Sequence, residues 1–582
     1  YHDYREYTYT YSLFNYKNYS RHITNDYRGY LRFTQRFNTE GKEGSKSILK
    51  NVYYSLQFDY SKAFELVQSE QHKDRLFDYG YWGRFNTLRR PVFAGNELLG
   101  YLPYLTVFTP SGNNPNTEAY TNQYLSFFDE NYAAHANEYY ETGNTSQFTN
   151  TAFYSNPFVI RANGGLINGQ RAGTVYSMWY NTGRTIDGYN YIDRDQYRAS
   201  AMFSADIKNH AISLGFEYEQ RVDRQFNIGP TGLWILMNNY ANFYLNEANP
   251  EAGSYTINDT IYHPNTYTNT SGQVGFYENV RKELGLSNTE YVDVFNYDPS
   301  NFSLSMFSPD ELGTAGGILN NSYVYYGYDY KGNRQKTLSP SATFDNFFKK
   351  DANGVYQRNI AAFQPIYLAG YIQDNFSIND LIFNVGLRVD RFDANQRVMK
   401  DPYLLYQAYT AGELNFQRPD NIGSDYVVYV SDFNVDKNTL TANDILGYRS
   451  GDQWYDKNGV ALTDPRILER QSSSARVLPL LVNKDDDIKS GNYEASKTFK
   501  DYEPQLTFMP RVAFQFDIND QAQFFANYSI LTQRPAGRLR NDPWAYYNFE
   551  QGSTISNPNL KPEKSVNYEL GFRQILSRSS VI

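Results

Sequence analysis

Cysteine is missing from the 582 residues, which removes disulfide staples, thiolate metal ligands and thiol nucleophiles together. Histidine is scarce: six are spread over positions 2, 22, 72, 135, 210 and 263, with no HExxH pair among them. No GxSxG phrase marks a serine nucleophile, and Gly313-Thr314-Ala315-Gly316-Gly317 lacks the lysine and the strand-to-helix setting of a phosphate loop. The expectation is no catalytic residue, no bound metal and no cofactor. Long apolar runs are also lacking. The densest, Val477 to Val482, is interrupted by Pro479 and falls far short of the roughly 18 to 20 residues a helical span needs. There is no basic excess either: 54 Lys+Arg against 63 Asp+Glu leave a net charge of -9, which argues against nucleic acid as a partner. Nothing after Tyr1 reads as a charged region followed by an apolar one, so a secretory signal is expected to be removed or to lie outside this sequence.

What the chain has in excess is rings: 57 Tyr and 39 Phe, beyond the need of an ordinary core. Aromatic girdles at two membrane interfaces and aromatic loop surfaces use rings in such numbers. The mean hydropathy of -0.66 is low. A barrel is compatible with that value, because only alternate residues of its strands meet lipid.

Alternation with a period of two runs through the chain. Tyr27, Gly29, Leu31, Phe33 and Phe37 oppose Arg28, Tyr30, Arg32, Thr34 and Arg36, and Val52 to Ser61 and Phe77 to Asn86 read as two further strands. From Tyr197 to Val222, Phe203, Ala205 and Ile207 alternate with polar residues, and after Lys208-Asn209-His210 the pattern resumes as Ile212, Leu214 and Phe216. Two alternating strands around a short Asn-containing turn form a hairpin. The design recurs around Asn379-Asp380 and around Asn519-Asp520, and a last strand carries Val566, Tyr568, Leu570 and Phe572 on one parity.

Weaker strands are expected within Tyr7 to Leu13 and within Leu98 to Phe108, for about 12 in all. Very long connections separate the tight turns, at about 110–193, 227–364, 396–505 and 535–563. Short turns on one side and long loops on the other are the pattern of an outer-membrane barrel. The expected fold is all-β, a transmembrane antiparallel β-barrel with long extracellular loops, residues 1–582 forming part of it.

The phrase Ser556-Asn557-Pro558-Asn559-Leu560-Lys561-Pro562-Glu563-Lys564-Ser565-Val566-Asn567-Tyr568-Glu569-Leu570-Gly571-Phe572-Arg573 resembles a barrel segment of TonB-dependent outer-membrane receptors, particularly the large Bacteroidota type. Tyr27 to Phe33, Ala205 to Tyr218, Tyr371 to Phe376, Asn384 to Asp390, and Pro510-Arg511-Val512 with Phe524 to Tyr528 are similar to the same family, in order along the strands. The resemblance implies a 22-stranded barrel, an N-terminal plug that is expected to be absent from this chain, and location in the outer membrane of a Gram-negative bacterium. It also implies uptake of a bulky ligand such as a glycan, a peptide or a metal chelate. The implied partners are a TonB-type energy-coupling complex acting through the plug, outer-membrane lipid, and a surface lipoprotein or other outer-membrane proteins. The alternative function is a barrel scaffold that binds protein partners through its loops.

Two sets of residues are candidates for ligand contact. Arg28, Arg32 and Arg36 share one strand face and form a cationic track for an anionic ligand or for plug carboxylates; set beside acidic neighbours they are ordinary wall polarity. The tract Tyr323, Tyr325, Tyr326, Tyr328 and Tyr330, with Tyr139-Tyr140, offers large stacking faces with hydroxyls at low entropic cost; packing of the loops on one another is the competing use. Asp485-Asp486-Asp487 has the hard oxygens that Ca2+ takes, but without the Gly and Glu spacing of an EF-hand it reads first as a solvated acidic loop. Asp456-Lys457-Asn458-Gly459 and Asp351-Ala352-Asn353-Gly354 read as turns.

Overall fold

The computed structural model describes residues 1–6, 13–15, 18–37, 48–111, 156–162, 165–577 and 580–581, except 182, 271–272, 316, 320–321, 337, 536, 538 and 557. The strands that set the architecture are, in chain order, β1 (His2–Glu6), β2 (Ser20–Phe37), β3 (Leu49–Ser69), β4 (Gly83–Ala94), β5 (Glu97–Pro110), β6 (Tyr189–Ile207), β7 (His210–Ile228), β8 (Val324–Tyr326), β9 (Ile366–Ile378), β10 (Leu381–Asp393), β11 (Gln505–Asn519), β12 (Ala522–Gln533) and β13 (Glu563–Ser577). A 12-stranded sheet runs β1-β2-β3-β6-β7-β9-β10-β11-β12-β13, each strand antiparallel to the next. Ser580–Val581 continues its edge, and β8 pairs with β7 beyond the end of β9. This is one wall of a meander, in which β1 and β13 are not paired with each other among the described residues.

The three hairpins fall where the Asn turns place them. Lys208 and Asn379 take φ of 54° and 53°, the left-handed conformation such tight turns require. Asn519 Oδ1 accepts from the Gln521 amide at 2.9 Å to close the third. On the opposite side the connections 70–188, 229–365, 394–504 and 534–562 are long.

Register shows that the alternation is a two-faced wall. One row across seven strands reads Phe33, Leu56, Ala201, Phe216, Gly370, Val389 and Phe508. The row one residue along, on the other face, reads Arg32, Gln57, Ser200, Glu217, Ala369, Asp390 and Thr507. Leu31, Phe58 and Leu570 are 72%, 60% and 75% exposed. An uncovered apolar band of this extent belongs against lipid. The band runs from Ile207 to Tyr197, where the rings of Tyr60 and Tyr197 meet at 5.2 Å. Ten residue steps at about 3.3 Å, tilted by about 40°, span roughly 25 Å of membrane. One row further outward the same face turns charged, as Lys62 opposite Asp195.

The stretch Phe77 to Asn86 is not a wall strand, and neither is Leu98 to Phe108. Leu76–Asp78 is a 3-10 turn, Gly80 takes φ of 70° against Thr231, and β4 and β5 pair in a separate four-stranded sheet with Tyr255–Ile257 and Thr260–Tyr262 of the second long connection. The apparent alternation there has another cause: Tyr81 and Trp82, on opposite parities, are both buried. Of the Tyr7 to Leu13 segment, 7–12 lie outside the described residues, as do Tyr139 and Tyr140.

The long connections share one hydrophobic core. Phe77, Trp234, Phe276, Phe499 and Trp544 belong to it, so all four connections contribute. Trp234, in the first turn of the helix α1 (Leu233–Ala241), is fully buried, donates to the Phe77 carbonyl at 2.9 Å and stacks on Tyr81 at 5.1 Å. Ring pairs of this kind add to the burial energy of each side chain. A smaller core of Val428, Val430, Ile445 and Tyr448 fills a five-stranded sheet within 394–504.

Candidate functional site on the inner face of the wall

The polar face carries a ladder of charges because period-two strands place Arg, Asp and Glu on its parity while register brings them side by side. Arg28 lies 3.7 Å from Asp59, and Arg32 donates to Gln57 at 2.6 Å. Farther along, Arg198 pairs with Glu217 at 2.7 Å, and Arg388 lies 3.9 Å from the same carboxylate. Arg388 also donates to Asp390 and to the Tyr367 hydroxyl, each at 2.8 Å, while Tyr367 donates to Asp390. At the outward end Arg534 reaches back from the last long connection to Glu219 at 3.0 Å and lies over the Tyr367 ring. A cleft of about 650 Å3 opens between these groups and Gln505, Thr507 and Glu563.

Of the three arginines singled out by sequence, Arg28 and Arg32 lie on this face with the neighbours just named, and Arg36 is exposed near its inward end. The tyrosine tract lies elsewhere. Tyr325 and Tyr328 are buried in the shared core, where their rings pack against neighbouring side chains rather than facing solvent. Tyr325 donates to the Arg358 carbonyl at 2.7 Å, and burial pushes its phenol well up. Tyr328 meets Tyr191 edge-on at 4.8 Å. Tyr323 donates to the Tyr330 carbonyl at 2.6 Å, and Tyr326 lies under Arg540 at 4.3 Å. These rings hold connection to connection and connection to wall.

Among the described residues no group of three or more His, Asp or Glu is placed to hold a metal ion. Asp486 accepts from Asn483, and Asp487 accepts the Lys489 amide at 2.8 Å. Asp351 and Asp456 each accept two backbone amides of their own turn, closed by Gly354 and Gly459 at φ of 76° and 83°.

Sequence reasoning passed over Glu217, Glu219, Arg388, Asp390, Arg534 and Glu563. Parity marks the five on the strands as inward, but nothing local says that β7 lies beside β9 across a connection of well over a hundred residues.

A membrane wall with an apolar outer face, an ion-paired inner face and extracellular connections folded into one unit defines an outer-membrane β-barrel protein. The family described as "TonB dependent receptor-like, beta-barrel" matches residues 138–581. The chain belongs to that family, a family of transporters and receptors of the Gram-negative outer membrane rather than of enzymes. No curated protein matches.

Among solved structures it is similar to the copper transporter OprC, at 7% identity and TM-score 0.26, over 96% of this chain and 37% of that one. P. aeruginosa FpvA bound to heterologous pyoverdines matches at 8% and 0.21, over 95% and 40%. The ferric-catecholate import receptor Fiu from K12 E. coli matches at 11% and 0.19, over 96% and 55%. The chain thus spans about two fifths of the first two structures, and the family match carries the assignment.

Proposed function

We propose that this chain is the wall and extracellular cap of an energy-coupled, TonB-dependent receptor that imports a bulky ligand such as a glycan, a peptide or a metal chelate. The observation that carries the reading is the charge ladder on the inner face, with a ligand-sized cleft at the end where the connections fold together. An apolar or self-filled interior would suit a purely structural wall; an interior of exposed, hydrogen-bonding side chains suits passage of a polar solute. Energy coupling through a TonB-type complex, a plug and an accompanying surface lipoprotein belong to the same proposal.

Uptake in paired strains tests it. Deleting the energy-coupling partner should abolish accumulation of the ligand while leaving surface binding intact. Unchanged accumulation would reject the receptor in favour of a passive pore or a scaffold.

A further inference from the structure

We propose that the cleft at the outward end of the inner face receives a cationic group, an ammonium or guanidinium carried by a peptide; this rests on the receptor reading and narrows its ligand to basic peptides. The cleft holds about 650 Å3, within the range of small-ligand sites. Four carboxylates line it, those of Glu217, Glu219, Asp390 and Glu563, against two guanidiniums, Arg388 and Arg534.

Both guanidiniums are already engaged. Arg388 is held by Asp390 and the Tyr367 hydroxyl, and Arg534 by Glu219. Glu563, the first residue of β13, is exposed and has no ion-pair partner among the described residues. The Gln505 amide, also in the lining, is engaged, donating to the Leu560 carbonyl at 3.2 Å. The lining carboxylate left open among the described residues is therefore Glu563.

An anionic chelate would have to displace carboxylates from both arginines and then face Glu563. A sugar would need a bare ring to stack on, and the Tyr367 ring is covered by Arg534 at 4.9 Å. A cation meets Glu563 directly, with the hydroxyls of Thr507 and Ser565 in the lining for peptide groups. The net charge of -9 over the chain favours its approach.

The test is fluorescence anisotropy of the full receptor in detergent with labelled hexa-arginine, set against hexaglycine, spermine, maltohexaose and ferric citrate. Hexa-arginine should bind saturably and lose affinity with salt, and hexaglycine, maltohexaose and ferric citrate should not compete. Glu563→Gln should weaken binding about five-fold, the scale of one exposed charge pair. Arg534→Gln, which releases Glu219, should strengthen it; a merely structural role for these side chains would not move affinity in opposite directions. Unchanged affinity in both variants would overturn the cation site, and competition by spermine equal to that by unlabelled hexa-arginine would overturn the peptide. Loss of energy coupling with binding retained rejects the receptor reading alone; coupled uptake of another ligand without hexa-arginine binding rejects this inference alone.

Discussion

Replacing Arg358 by Met should loosen the extracellular cap without disturbing the wall. The Arg358 side chain is 1% exposed, donates to Asp310 at 2.6 Å and 3.3 Å, and donates to the Phe347 carbonyl at 2.7 Å. Its guanidinium lies 3.9 Å from the Tyr356 ring and 4.6 Å from that of Tyr547, the latter in a different connection. Its backbone sits at φ of 47°, a left-handed conformation that costs a non-glycine residue about 1–2 kcal/mol and persists only where surrounding contacts outweigh it.

Breaking a buried pair costs about 3–5 kcal/mol, chiefly through the abandoned partner. The Asp310 side chain is 25% exposed and regains some water, so the lower end, about 3 kcal/mol, is expected. Asp310→Asn combined with Arg358→Met should cost less than the sum of the single changes, because the stranded carboxylate is gone. Hydrogen exchange read by mass spectrometry should show about 100-fold less protection at 309–313, 324–326 and 543–547, with β9 and β10 unchanged. Equal protection in wild type and Arg358→Met, or strict additivity in the double variant, would refute the cage as the joint between connections.

On the wall, Phe203→Arg should destabilise by about 2–4 kcal/mol in folding assays into lipid, and Ser204→Arg, on the inner parity, should be mild; equal costs would mean that the faces are misassigned. In the cap, two buried groups oppose each other in pH. Burial pushes Asp293 up to about 6, so below that value the folded state holds a proton the unfolded state has released, and stability falls as pH rises from about 4 to 6. Burial pushes His72 down to about 4, so the unfolded state holds the extra proton and stability rises with pH from about 4 to 6.5. Melting followed by tryptophan fluorescence should therefore gain a rising pH slope in Asp293→Asn and a falling one in His72→Phe, each up to about 1.4 kcal/mol per pH unit; parallel profiles would contradict the assignment.

The wall strands were legible because lipid on one side and solute on the other impose a strict period of two. The turns at Asn209, Asn379 and Asn519 were legible because few residues fit them. The same rule misled at Phe77 to Asn86, where both parities enter a packed core and alternation carries no meaning. The tyrosine tract was visible as composition, but a Tyr that contacts ligand and a Tyr that joins two connections look alike in sequence. Tyr325 joins two connections because its hydroxyl accepts from Trp544 at 3.2 Å, and that pairing depends on a fold no local pattern encodes. Arg28 and Arg32 were found because one strand displays them; the ladder from Arg198 to Arg534 was not, because it exists only across strands brought together by register.

On the receptor reading proposed above, where ligand selection resides follows from how the two regions use their polar groups. In the cap, Tyr323, Tyr325 and Arg358 direct their donors at backbone carbonyls and a carboxylate of their own connection, so those side chains are committed before any ligand arrives. Rearranging them would forfeit the buried pairs that hold the cap together, at a cost comparable to the gain from a new contact. On the wall, Glu217, Asp390 and Glu219 are paired along the sheet but open to the cleft, and Glu563 is not paired among the described residues. Groups that already face water can exchange it for a ligand without disturbing a core. On that reading, selection by charge therefore falls to the inner face.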